Sequence, residues 1–286
     1  MRVTGRVFVI FLLLTLLLPV AALADTGPKP SVVIDFTGLE GETYYATLLS
    51  QREQYGPWSA QGDYQDWHGD RAAWEAFRAY EDPQGFYFLE HFTDCTETGQ
   101  FSWTYYPPEV FKVLVYFPQY DSYAVTEDSY ERYAFDSYYT VDASAAAETG
   151  LLPPLEKTYD FGWEILSFFA RLVVTLAAEM ALALAFGFRA KKQLTVIFIT
   201  NLVTQGILNL LLNFVNFCFG GIVFVLNYIW MEAVVFVLEA AVYSLTLKRY
   251  APDPARSGRP ILYAFLANLA SILLGLLVAK ALPGIF

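Results

Sequence analysis

Glu179, Glu232 and Glu239 lie inside long apolar runs, and Arg171 shares the first of those runs. A carboxylate at the middle of a bilayer costs about 2.5–3.5 kcal/mol even on the lenient scale. A chain that keeps one there uses it to bind a cation or proton, to line a polar cavity for a small ligand, or to hold helices together. Amides surround these groups. The stretch TNLVTQGILNLLLNFVN carries Asn201, Gln205, Asn209, Asn213 and Asn216, and a later run carries Asn268 with Ser271 and Gly275. At about 100° per residue, the five amides fall within about 120° of one another on a helix. That face avoids lipid and points into a bundle. Interhelical hydrogen bonds of this kind contribute only about 0.6 kcal/mol each, so the amides alone read as glue. Glu179 and Glu239 together read as a functional centre, either a cation or proton site or a polar cavity.

The four apolar runs cover residues 165–188, 194–217, 222–247 and 261–282. Each is long enough to cross a hydrocarbon core of about 30 Å as a helix. Arg189, Lys191 and Lys192 follow the first run, and Lys248, Arg249, Arg256 and Arg259 follow the third. The turn between the second and third has no charge. Basic loops stay in the cytoplasm, so the segment before the first run lies outside. Counting about 1.5 Å per residue from the cytoplasmic ends puts Glu179, Asn201, Glu239 and Asn268 in one layer, about 10–13 Å deep. Arg171 and Glu232 come out at about 22–25 Å, where a pair across the bundle is expected. Short connections make consecutive helices antiparallel neighbours, and Pro252, Pro254 and Pro260 limit helix in the second basic loop.

The N-terminus carries Arg2 and Arg6, an apolar stretch over 7–20 and Ala22-Leu23-Ala24, the pattern of a signal peptide cleaved before Asp25. That leader agrees with the loop charges. Of 29 acidic residues only Glu164, Glu179, Glu232, Glu239 and Asp253 follow residue 160. The acidic balance of the earlier segment repels phosphates and argues against nucleic acid as a partner.

Residues 25–141 read as strands over 32–36, 42–48, 86–92, 101–106, 110–117, 120–125 and 132–141. Asp70 can cap a helix that turns Trp74 and Phe77 inward. A small antiparallel sheet or sandwich with one helix on it follows. The many aromatics between 101 and 140 read first as core, and second as an exposed contact surface. Residues 142–164, with small residues and Pro153-Pro154, read as a linker.

Catalytic signatures are missing. His68 and His91 are the only histidines and form no zinc pattern; there is no GxSxG elbow and no phosphate-binding glycine loop. Asp121, Glu127, Asp128, Glu131 and Asp136 lack the spacing of a calcium loop. Cys95 and Cys218 are read as two thiols rather than a bridge. No cofactor and no metal is expected.

FGFRAKKQL, TNLVTQGILNLLLN, EAVVFVLEAAVYSL and ANLASILLGLL with the closing PGIF resemble a family of uncharacterised bacterial integral membrane proteins over residues 165–286. VVIDFTGLEGETYYATLLS and YERYAFDSYYTVD resemble the exported domain that some of them carry. The resemblance implies an architecture, not an activity, and assigns no functional residue.

The expectation is a multi-pass cell-membrane protein: a leader over 1–24, an extracytoplasmic β-rich (α+β) domain over 25–141, a linker over 142–164 and a four-span α-helical bundle over 165–286. The intramembrane polar site is Arg171, Glu179, Asn201, Gln205, Asn209, Glu232, Glu239 and Asn268. The expected role is non-enzymatic, as a sensor or accessory subunit of a membrane complex, embedded in lipid with a membrane-protein partner or a second copy. The alternative is a small oligomeric transporter or ion- or proton-conducting protein built on those residues.

Overall fold

The computed structural model describes residues 29–52, 69–250 and 258–281. The expected leader, His68, Pro252, Pro254, Arg256 and the closing PGIF lie outside the described residues. The chain divides into two compact units, Pro28–Tyr159 and a helical unit running from Asp160.

The N-terminal unit holds β1 (Ser31–Thr37), β2 (Tyr45–Ser50), α1 (Arg71–Ala79), β3 (Tyr87–Phe88), β4 (Thr93–Asp94), β5 (Gln100–Trp103), β6 (Val110–Phe117), β7 (Ser122–Thr126), β8 (Tyr130–Glu131), β9 (Asp136–Asp142), α2 (Ala146–Thr149), β10 (Leu151–Leu152) and β11 (Glu156–Lys157). One sheet runs β11-β9-β1-β5, and the other β10-β7-β6-β2-β3, with β4 on β2 and β8 on β6. β6 reads VFKVLVYF and is buried on both faces. Side chains alternate across a strand, so Phe111, Val113, Val115 and Phe117 meet Ile34, Phe101, Trp103 and Tyr139 of the first sheet. Leu114 and Tyr116 point the other way and are covered by Trp74 and Phe77 of α1. The result is three layers: sheet, sheet and helix. Asp70 caps α1 as expected, its carboxylate accepting from the Ala73 N–H at 2.8 Å.

Three expectations are corrected. Residues 143–154 are no linker. Gly150 at φ +70° closes α2, β10 pairs in parallel with β7, and β11 pairs with β9. Leu152 and Leu155 enter the core, so the unit extends to Tyr159 rather than to residue 141. The first long helix begins at Phe161, not 165. The expected strand over 86–92 is also reduced to the two residues of β3.

A polar pair fixes the loop before β3. The Lys112 ammonium donates to Asp82 at 3.0 Å with both side chains buried, and Asp82 also accepts from the Gln84 and Phe86 N–H groups. The aromatics divide between core and surface: Trp103, Phe111 and Tyr139 are core, while Tyr105, Tyr106 and Tyr120 are exposed. Cys95 and Cys218 are both free. Burial, and next the charge of Asp94, push the Cys95 thiol up to about 12.

Among the described residues the helical unit has four long helices, α3 (Phe161–Ala185), α4 (Lys191–Phe219), α5 (Gly221–Thr246) and α6 (Arg259–Ala281), each long and apolar enough to cross a membrane. α3 packs on α4, α4 on α5, α5 on α6 and α6 on α3, closing a ring. Gln193, Asn201 and Thr204 of α4 meet Leu247, Tyr243 and Glu239 in turn, so these neighbours run antiparallel. Gly187, at φ +75°, ends α3: its N–H donates to Leu184 O, and the Phe188 N–H donates to Ala183 O. That pair of bonds turns the chain toward α4.

His91 generates a test of the N-terminal unit. It is 5% exposed, both ring nitrogens lack partners, and its ring sits edge-on to Trp103 at 4.8 Å. Burial lowers its pKa from 6.5 to about 4. Above pH 6.5 the ring is neutral whether the chain is folded or not, so it adds no pH dependence. As pH falls from 6.5 to about 4, the unfolded chain takes up a proton that the folded domain refuses, and stability declines. The loss amounts to about 3 kcal/mol once complete. Denaturant unfolding in detergent should show this slope in the wild type and a flatter one in His91→Phe; equal slopes refute the assignment.

Candidate functional site

The bundle is apolar outside and polar within. Ile165, Phe169, Val173, Phe198, Leu210, Phe214 and many similar side chains are exposed on its surface. The buried positions of α3 are Ser167, Arg171, Thr175, Glu179 and Ala183, every fourth residue. A spacing of four keeps these groups on one face of the helix, and that face looks into the ring.

Glu239 on α5 is the best-connected group. Its Oε1 accepts from the Thr204 hydroxyl of α4 at 2.7 Å, and its Oε2 accepts from the Asn268 amide of α6 at 2.7 Å. One carboxylate thus joins three helices. One turn along α5, the Tyr243 hydroxyl donates to Asn201 Oδ1 at 2.5 Å. Glu179 joins α3 to α6: its Oε1 accepts from the Ser271 hydroxyl at 2.5 Å, and its main-chain carbonyl accepts from the Tyr263 hydroxyl at 3.1 Å. Glu179 and Glu239 are close enough to interact electrostatically, and Glu232 interacts with both. All three are essentially inaccessible.

The layer expected from helix counting therefore forms, with Glu179, Asn201, Glu239 and Asn268 from four helices. Gln205 and Asn209 follow along α4, both buried, and Asn209 donates to the Gln205 carbonyl at 2.8 Å. Asn213 and Asn216 are half-buried, at the edge of the stripe. The expected Arg171–Glu232 pair does not form. The Arg171 guanidinium donates to Asn213 Oδ1 at 3.0 Å and lies over the Phe224 ring, while Glu232 bonds the Tyr228 hydroxyl. Equal depth brought the two charges to one level, but neighbours on α4 and α5 reach each of them first.

Apolar clusters pack beside these polar groups toward both ends of the bundle. On the side of the basic loops lie Ala183, Phe188, Ile197, Leu247, Tyr263 and Ala264. On the other lie Leu208, Leu212, Phe224, Met231 and Val235. Several polar atoms within have no partner: Glu179 Oε2, Asn268 Oδ1, Glu232 Oε2, Asn201 Nδ2 and Gln205 Nε2. Among the described residues no group of three or more His, Cys, Asp or Glu side chains could hold a metal ion.

Thr204 and Tyr263 escaped the sequence reading, whereas Ser271 was read on the stripe of Asn268 without being assigned to the site. Hydroxyl side chains are common in apolar helices and carry little hydropathy signal. The usable signal was spacing: Thr204 lies three residues after Asn201, and Ser271 three after Asn268, each on the face of the amide before it.

No family model matches the chain, and no curated protein or solved structure matches it either.

Two substitutions probe the geometry. A Cβ at Gly275 would stand 2.6 Å from the Tyr228 hydroxyl. Gly275→Ala should displace that hydroxyl from Glu232 and destabilise the bundle by about 1–3 kcal/mol. Asn268→Leu removes the donor to Glu239 Oε2 and should cost about 1–3 kcal/mol, against about 0.6 kcal/mol for an average interhelical bond. Thermal unfolding in detergent checks both; a wild-type melting curve for Asn268→Leu contradicts the bridging role of Glu239.

Proposed function

We propose that the chain is a multi-pass membrane protein with no catalytic role, acting as a sensor or as the accessory subunit of a membrane complex. The apolar exterior of the four helices supports embedding in lipid. The charges between α3 and α4 and after α5 support placing those loops in the cytoplasm, with the N-terminal domain and the C-terminus outside. The leader sequence and the resemblance to bacterial membrane proteins with exported domains belong to the same proposal. The outer domain would contact a partner, and the bundle would answer it. The partner is a membrane protein or a second copy; the acidity of the outer domain disfavours nucleic acid.

The observation that carries the non-conducting reading is the state of Glu239. Both of its oxygens are taken by donors from neighbouring helices, Thr204 of α4 and Asn268 of α6. That arrangement couples helices more readily than it passes ions. The unpartnered Glu179 Oε2 and Asn268 Oδ1 favour a second reading, a small oligomeric transporter or an ion- or proton-conducting protein.

Flux into proteoliposomes separates the two. The sensor or scaffold reading expects no proton or cation flux above protein-free vesicles across the pH range. Flux that disappears in Glu239→Gln would replace it with the transporter reading.

A further inference from the structure

We propose that the bundle interior binds one proton, held on Glu179 Oε2 and donated to Asn268 Oδ1. The proposal rests on the membrane-embedded bundle but not on whether anything crosses it.

Two buried acceptors, one on Glu179 and one on Asn268, lack a donor. Glu239 accepts at both oxygens and so needs none. Glu179 accepts at Oε1 only, and its Oε2 is a fully buried acceptor with no donor. Asn268, 3% exposed, spends its amide hydrogens on Glu239 Oε2 and the Ala264 carbonyl, which leaves Oδ1 an acceptor without a donor. Ser271 bonds Glu179 and Asn268 bonds Glu239, and these two α6 residues are one turn apart on one face. Glu179 is thus held within one turn of Asn268 on α6, where a single proton on its carboxyl would satisfy both orphan acceptors.

Charge balance points the same way. The titratable groups facing Glu179 are Glu232, Glu239 and Tyr243 from α5 and Tyr263 from α6. α4 offers only Asn201, Thr204 and Gln205 at this depth. Arg171, the buried cation of α3, is about 12 Å away along the helix and is engaged with Asn213. Two interacting like charges without a cation beside them do not both persist in an apolar interior. A multivalent metal is disfavoured, because one carboxylate oxygen and one amide oxygen are too few ligands. The bound proton completes a chain from Glu179 through Asn268 to Glu239, tying α3, α6 and α5. Its loss would set two carboxylates against each other across the ring, so the proton couples helix packing to pH.

Infrared spectroscopy of the protein in lipid nanodiscs at neutral pH tests this. The wild type should show a carboxylic-acid C=O band that shifts in D2O. The component assigned to Glu179 should vanish in Glu179→Gln, survive in Glu232→Gln and be indifferent to exchange of sodium for potassium. Glu179→Gln should also melt close to wild type, since its amide N–H stands where the acid O–H stood. A wild type with no acid band overturns the proposal without recourse to any variant. So does a band unchanged in Glu179→Gln, or one that appears only when sodium is removed, which would assign a cation instead. Absence of flux in the liposome assay leaves these results standing, so the two readings fail separately.

Discussion

Glu239 has no surface to turn to, and its carboxylate has to be satisfied by protein. Thr204 and Asn268 meet that requirement from two different helices. Apolar side chains pack in many registers at similar energy, but a buried carboxylate accepts only the register that delivers its donors. The Tyr243–Asn201 bond one turn away repeats the constraint between α4 and α5, and the Ser271–Glu179 bond extends it to α3. The closed ring of four helices is the arrangement in which all three hold at once.

The N-terminal domain follows a different rule. β6 is buried on both faces, so one strand serves the sandwich core and the helix-covered face together. Its one cation, Lys112, has to be matched where it lies, and Asp82 meets it while fixing the turn that leads to β3. The last segment of the domain returns to both sheets through β10 and β11, so the chain leaves the sandwich only after closing its edges.

Much of this architecture was legible beforehand, and the exceptions have physical causes. The helices stood out by length and hydropathy. The interior layer stood out because amides and carboxylates recur at helical spacing. β6 and the Asp70-capped helix were readable from alternation and a cap residue. Residues 143–154 were not, because a single turn of helix and two-residue strands lack a period to detect, and the burial of Leu152 and Leu155 depends on distant strands. The pairing of Arg171 with Asn213 rather than Glu232 was also invisible: depth can be counted along one chain, but which helix lies beside which cannot.

The ring also sets an order of events during synthesis. α3 and α6 are neighbours in space but the first and last helices in sequence. Glu179 is made 92 residues before the Ser271 that bonds it, and Glu239 is made 29 residues before Asn268. In a membrane, the first three helices would enter carrying carboxylates whose partners on the fourth do not yet exist. A nascent chain stopped before α6 is therefore an incomplete fold rather than a shorter one, its acids lacking donors that only α6 supplies. The final helix is thus the one that completes the hydrogen bonding of Glu179 and Glu239.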